Sequence, residues 1–599
     1  MERIMNIYKK LVIAIVFISG MFMTSCTDFL TIIPPSKVVH EDFWHTEAEV
    51  NGMMATAYLT LCNSSCISNA IMWGETRAET VDYPLGANNN SIIHLTEGLL
   101  YDDNAYASWA EYYKAINYCN LVMEYGPTVM DHDPSFTEGE MQVIKGQMLA
   151  LRAYAHFVLL RAFCNIPMAT QVVINDAEMP DYPQVHPMKA LQMMYDDLEQ
   201  ASTMVLLSGV KSAENLGYIT TNAVHALMAD INMWQAAFAE YYLSENNLGV
   251  EEAKEAKEYI IAGAPDIYYD MAIEHCQYIL DAMDKIHEEN YVSKLEKPTE
   301  FNLLANRGSY EQQQWGYSTV YEDIFGTGQN SSESIFEFQI DDKNYAEGNN
   351  GISAVFGAGG NNGGRFVVQK NFLETKFEND DLRKYAFTTL AAPGDGTVAP
   401  EEDDEGLKET FVAKYTAKNT VNTKGAERTY RSSDDYNAHW IMYRKTEIML
   451  TLAEALLSRS AAKSNPDDVE KAFKLAAAIN TRWKMIINEN GDRQNVKQLS
   501  DYTEVKKCLE FVRDERAREL CFEGRRWYDI VRMALQGQDV AFSYEKKRHG
   551  VDNDEMKRRY VHISAYFMPI AKDEIRFNHL LKQNKSCKST DDDSSITQK

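Results

Sequence analysis

Two stretches of the chain combine flat aromatic rings with short polar side chains, a pairing suited to gripping a sugar. A sugar ring offers apolar C–H faces and a rim of hydroxyls. Aromatic rings match the faces, and Asn, Asp, Gln and Arg match the rim. The first stretch holds Trp73, Glu75, Arg77, Asp82 and Tyr83, followed by Asn88 to Asn90; the second holds Gln312, Gln313, Trp315, Tyr317 and Tyr321. Trp315 and Tyr317 are the sharper candidates, because the polar run from Tyr310 to Gln314 offers little apolar support for burying them. The competing expectation is that each ring packs into a core. Trp44, Trp109, Trp234, Trp440, Trp483 and Trp527 are read that way.

A second kind of chemistry is suggested by the dense block from Glu515 to Asp529, which holds four acidic and four arginine residues. A catalytic carboxylate pair is one reading. Matched acids and bases at i,i+3 and i,i+4 (Glu515 with Arg518, Arg516 with Glu519) favour an ion network instead, and Arg525 and Arg526 can reach carboxylates on other helices. Gly357 to Arg365 is glycine-rich but lacks the Lys-Ser/Thr of a phosphate loop, so it reads as a surface loop. The acidic runs Glu401–Glu405 and Asp552–Glu555 could hold a structural calcium, yet neither has the alternating ligand spacing of a calcium loop, and a solvated face is the simpler reading. No catalytic residue, metal or other cofactor is assigned. Of nine cysteines only Cys62 and Cys66 are close; a disulfide there is possible, while a metal site lacks further ligands at the right spacing.

Positioning these groups requires a large frame. Helical periodicity marks 41–61, 106–125, 138–163, 187–207, 221–242, 272–286, 443–458, 469–487 and 502–535. Residues 62–104 read as irregular. Across 290–440 the long periodicity disappears, and short strand-like pieces such as Ser334–Phe338 replace it. The expected fold is therefore mostly α: a tetratricopeptide-like solenoid of about four helix pairs, with a loop-rich lobe carrying short strands. The chain divides into 1–25, a leader at 26–40, an N-terminal helical part at 41–289, the lobe at 290–440, a C-terminal helical part at 441–581 and a polar, disordered tail at 582–599.

Of 599 residues, 45% are hydrophobic, enough for a real core, and the formal net charge is −29. That field opposes nucleic acid, whose binding needs clustered cations. The N-terminus carries Arg3, Lys9 and Lys10, an apolar run from Leu11 to Met23, and then Thr24-Ser25-Cys26. This is a secretory signal, too short to span a bilayer comfortably. Its end resembles the lipobox of bacterial lipoproteins, with Met23 where Leu is usual, which makes Cys26 the expected site of lipid attachment. Pro34-Pro35 keeps the following leader extended.

Several blocks together resemble the SusD/RagB family of surface lipoproteins. Trp109, Tyr113, Ile116 and Asn120 stand as in its W…Y…I…N helix. Leu151 to Phe157 with Phe163 to Pro167 is similar to its R-A-x-x-Y-F block, with Cys164 where Gly is usual. Glu333–Phe336 looks like its E-x-I-F strand, and Tyr443–Ala455 like its A-E-A helix, with Lys445-Thr446 a departure. Glu515–Asp529 resembles its E-L-x-F-E-G-x-R-W block, and Phe567–Ile575 its P-I-P segment. The resemblance implies four tetratricopeptide-like pairs, an irregular ligand-holding lobe and no catalysis. It also implies a lipid-anchored place at the outer membrane, on the cell surface, and a partner, the TonB-dependent SusC-type transporter barrel that receives the oligosaccharide. A peptide-binding member of the same family is the alternative. A secreted glycoside hydrolase is a third possibility, since it needs only two carboxylates roughly 5–10 Å apart.

Overall fold

The computed structural model describes residues 43–84, 87–174, 181–209, 216–247, 251–291, 301–327, 329–340, 351–357, 366–389, 409–421, 428–431, 437–541 and 553–588. Cys26, the signal and leader, the run Glu401–Glu405, most of the glycine-rich loop and residues 589–599 lie outside them.

Helices dominate. The N-terminal set is α1 (Glu47–Leu61), α2 (Ser64–Glu75), α3 (Ala110–Tyr125), α4 (Glu138–Phe163), α5 (Pro187–Ser202), α6 (Thr221–Leu243) and α7 (Asp266–Tyr291). The C-terminal set is α8 (Lys445–Ser458), α9 (Pro466–Arg482), α10 (Val505–Leu520) and α11 (Arg526–Leu535). Local sequence sets the starts. Thr46 with Glu49, and Thr137 with Glu140, each form a reciprocal capping box that satisfies the first free N–H groups of α1 and α4. The helices then stack in series: α1 on α3, α3 on α4, α4 on α5, α5 on α6, α6 on α7, α7 on α8, and α8 on α9 and α10. Each apolar face is buried only by its neighbours, as in a helix-pair solenoid. Small residues on α6 (Ala223, Ala226, Ala229, Ala236 and Ala237, all buried) fit the close packing.

Three expectations need correction. Residues 62–104 are not all irregular: α2 and a short helix at Asn90–Thr96 occupy much of them. Asn63 and Asn89 cap these helices with side-chain oxygens, a start signal obscured by the polar composition around them. Residues 502–535 form two helices rather than one, because Phe522 (φ 67°) and Gly524 (φ 66°) turn the chain left-handed between them. The turn is held from α2, where Glu75 Oε1 accepts the Phe522 N–H at 2.8 Å. A Cβ at Gly74 would lie 1.9 Å from the Gly524 carbonyl oxygen, so only glycine permits that approach. The tail is not disordered from 582, since residues up to 588 are placed and Lys588 bridges Tyr101. The described cysteines are free thiols, Cys62 and Cys66 included. Glu555 sits in the helix Asn553–Arg559 and pairs with Arg559.

The lobe is built from short pieces. Ser334–Phe338 pairs antiparallel with Trp440–Arg444. A four-stranded sheet runs in the order Val81–Asp82, Val367–Val368, Phe411–Val412, Thr388–Thr389. Its first strand comes from the N-terminal part, so the lobe is sewn into the helical frame. Among the described residues no helix is long and apolar enough to cross a membrane.

Candidate functional site

The Glu515–Asp529 block is the joint that seats the lobe. Glu515, Glu519 and Glu523 follow one another at four-residue spacing. Glu515 binds Arg383 at 2.6 Å and Arg518 at 2.7 Å. Glu519 binds Arg444 at 2.6 Å and Arg482 at 2.9 Å, and accepts the Trp483 indole N–H at 2.8 Å. Glu523 binds Lys414 at 2.5 Å and Arg444 at 2.7 Å. Arg383 and Lys414 come from the lobe, Arg444 from its longest strand pair. Burial opposes ionisation of Glu519, yet Arg444, Arg482, Arg383 and Lys414 hold its carboxyl well below the usual range. Asp529 is drawn down to about 2 against its burial by Arg516, Arg532 and Arg526. The buried charges of this set are matched by opposite charges within it, as an ion network requires. Arg526 reaches Glu79 at 2.6 Å, across to the N-terminal part. The expected Arg516–Glu519 pair is replaced by Arg516 with Asp529 (2.9 Å) and Glu447 (3.3 Å).

Most of the first aromatic stretch belongs to the core. Trp73 is fully buried, its rings packed on Tyr112 and Phe163 and its indole N–H given to the Tyr106 carbonyl at 2.7 Å. Arg77 is buried, its guanidinium 4.5 Å from the Trp527 ring. Asp82 is buried in the first strand of the lobe sheet, and Tyr83 is buried with its hydroxyl on Glu97 at 3.1 Å. Tyr321 is also interior. Its hydroxyl donates to the Ala413 and Ala417 carbonyls at 2.6 and 3.0 Å, and its ring packs on Phe325 and Phe387. Each offers no face to solvent. For Trp73, Tyr83 and Tyr321 the physical reason is shared: an aromatic ring within reach of a polar anchor is buried at no hydrogen-bonding cost.

Trp315 and Tyr317 differ. They leave a short helix, Tyr310–Gln314, closed at its start by a Ser309–Gln312 capping box. Gln313 is buried beneath it, accepting the Ile486 N–H at 3.0 Å and donating to the Gly308 carbonyl at 2.8 Å, which fixes the turn to the frame. Trp315 and Tyr317 are half-buried, and Tyr310 is 36% exposed. Gly316 (φ 85°) lies so close to Tyr385 that a Cβ there would stand 2.7 Å from the Tyr385 Cβ. Tyr385 is 41% exposed and donates its hydroxyl to the Asn379 carbonyl at 3.2 Å. Arg428 binds the carbonyls of Tyr385 and Thr388. The Trp315 turn and Tyr385 therefore stand side by side, with Asn379 on the Tyr385 hydroxyl and Lys384 on the Asn379 side chain. Next to Lys384 and Asn379 opens a cleft of about 750 Å³, with Phe377, Tyr502 and Phe511 in its wall. Carboxylates near the rings are engaged: Asp323 pairs with Arg307 at 2.9 Å, and Glu322 accepts the Thr420 N–H at 3.1 Å. Burial, with Glu322 nearby, raises the Tyr317 phenol above its ordinary value, so the hydroxyl stays protonated at neutral pH. The surface can stack on flat apolar faces and exchange hydrogen bonds with hydroxyls.

Tyr385 was not legible as a candidate. It follows the charged pair Arg383-Lys384 in a stretch with no long helical period, and only its approach to Gly316, 69 positions earlier in the chain, gives it a place.

Comparison with known proteins fits this arrangement. A model of the "SusD family" matches residues 393–586. A second, described as "Starch-binding associating with outer membrane", matches residues 28–233. "SusD-like protein P38" of Formosa agariphila is 23% identical over 542 residues, covering 86% of this chain and 90% of its own. A SusD homolog from Bacteroides thetaiotaomicron superposes with a TM-score of 0.64 at 16% identity, over 92% of this chain and 99% of that one. A "Laminarin binding SusD-like protein" does so with a TM-score of 0.59 at 16% identity, over 90% and 100%. With family models matching residues 28–233 and 393–586 and the same stacked-helix fold, the chain belongs to the SusD/RagB-like family.

Proposed function

We propose that the protein is a non-catalytic, lipid-anchored surface receptor that binds an oligosaccharide at the Trp315–Tyr385 surface and hands it to a TonB-dependent SusC-type transporter in the outer membrane. The observation that carries the reading is a group of partly exposed aromatic rings, Tyr310, Trp315 and Tyr317 on a turn that Gln313 pins to a rigid frame, with Tyr385 of a neighbouring short helix set against that turn at Gly316. Loops held by a scaffold are where binding groups concentrate. A starch-binding family description and a laminarin-binding relative of the same fold support glycan as the ligand class. The engaged carboxylates beside the rings favour binding over hydrolysis. Cys26, behind its apolar signal, is the anchor in this reading.

A polysaccharide panel by affinity electrophoresis, followed by calorimetry on the best ligand, tests it. Trp315→Ala is expected to weaken binding by about 1–3 kcal/mol, as for a central aromatic contact, with no reducing-end release from any polysaccharide. Capture of peptides and not glycans would move the assignment to a peptide receptor, and turnover would overturn it.

A further inference from the structure

A second cavity of about 910 Å³ lies where the end of α4, the segment 183–186 before α5, the end of α6, the short helix Glu251–Ala256 and the segment 562–586 meet. Its volume is that of sites which enclose small ligands. Its floor is apolar and aromatic, with Phe163, Tyr242, Phe567 and Met568. The Tyr241 and Tyr242 rings stand edge to face, 5.2 Å apart at 74°.

The cavity also holds an unused donor. His186 is 5% exposed and lines it. Its Nδ1 accepts the Met188 N–H at 3.2 Å, so the ring proton sits on Nε2. Nε2 has no hydrogen-bond partner, although the Glu252 backbone lies close enough to favour the charged form. Burial outweighs that influence and keeps the imidazole neutral. A buried N–H without an acceptor is unfavourable, and a ligand oxygen would relieve it.

The walls are rigid. Gln583 exchanges both its amide groups with the Ile570 backbone at 2.8 and 2.6 Å, and Asn584 donates to the Ser564 and Phe567 carbonyls at 2.9 Å each. At the mouth stand Glu252, Glu255, Lys582 and Lys585, two of each sign, with Lys585 on Glu252 at 2.8 Å. A balanced mouth selects neither anions nor cations. Aromatic floor, donor imidazole and carboxylate rim together suit a ring with apolar faces and hydroxyls.

We propose that this cavity is a second ligand site, separate from the Trp315–Tyr385 surface, for a neutral polyhydroxylated molecule of one or two sugar rings. Saturation-transfer NMR with maltose, cellobiose and laminaribiose on the full mature chain tests it in the Trp315→Ala background, where the first site is disabled. Transfer to at least one disaccharide is expected to persist there. It should fall at least fivefold when Tyr241→Ala is added, and equally with Glu255→Trp, an exposed position where a large side chain narrows the mouth. No transfer in the Trp315→Ala protein, or transfer that survives both additions, overturns the proposal. Failure of the first site instead shows as identical binding by wild-type and Trp315→Ala proteins.

Discussion

Arg383 and Glu515 meet at 2.6 Å with neither side chain exposed, and this contact joins the lobe to α10. Asp381 grips the other edge of the same guanidinium at 2.7 Å, and Glu519 reaches it at 3.1 Å. The arginine is thus enclosed by three carboxylates, and burial of its charge is offset by all three. Removing one member of such a set strands the others, at about 3–5 kcal/mol. Arg383→Met is expected to lose that much in denaturant unfolding. Arg383→Lys should recover little, because an ammonium cannot present the planar fork that spans Asp381 and Glu515. Full recovery by lysine would show that charge alone matters here.

A second carboxylate behaves in the opposite way. Glu75 is pushed up to about 7, chiefly by burial, with Thr80, Phe522 and Lys414 pulling the other way. Its Oε1 serves Thr80 and Phe522, while Oε2 is buried without a partner. Between the ordinary carboxylic range and pH 7 the folded chain keeps a proton that the unfolded chain has released. Its contribution is therefore present at low pH and lost as pH rises through about 4.5 to 7, up to about 3 kcal/mol. His156, His225 and His275, depressed by burial to about 3, 4 and 4, act in the reverse sense over part of that range. The difference between wild type and Glu75→Gln isolates the effect. The variant should gain stability relative to wild type as pH rises from 5 to 7.5 in chemical denaturation. A pH-independent difference would refute the assignment.

Cys164 ends α4 at φ 65°, ψ −75°, with the Asn165 N–H on the Phe163 carbonyl at 2.9 Å. This is a strained γ-turn for any residue with a Cβ. Cys164→Gly should raise unfolding stability by about 1 kcal/mol, since the strain relieved exceeds the entropy glycine adds in the unfolded chain. A melting temperature that does not rise would show that the sulfur contacts compensate.

The clearest helix was legible from its periodicity: 138–163 reads the same from sequence and structure. The arginine–glutamate block was legible as a network from its matched charges, though not its partners, since Arg383 and Lys414 lie more than 100 positions away. Buried and presented aromatics were separated in part: the six tryptophans read as core are buried and Trp315 is half-buried, while Trp73, Tyr83 and Tyr321 turn inward against expectation. Trp73 follows the apolar Ala70-Ile71-Met72 while Trp315 follows a run of glutamines, and the Tyr106 carbonyl, 33 positions from Trp73, gives the inward ring its hydrogen-bond partner.

That distinction gives the sharpest contrast between frame and site. Trp73→Phe removes the indole N–H from the Tyr106 carbonyl and leaves space between Tyr112 and Phe163, so it should cost about 2–4 kcal/mol of stability. Ligand affinity should be unchanged once the protein is folded. Tyr385→Ala removes a ring that is 41% exposed and carries one backbone hydrogen bond, so stability should shift by no more than about 0.5 kcal/mol. Affinity for the best glycan should nevertheless fall about tenfold, the loss of one stacking face. Calorimetry beside thermal unfolding reads both quantities on each variant. If Tyr385→Ala binds as tightly as wild type while Trp315→Ala does not, the aromatic surface ends at Gly316.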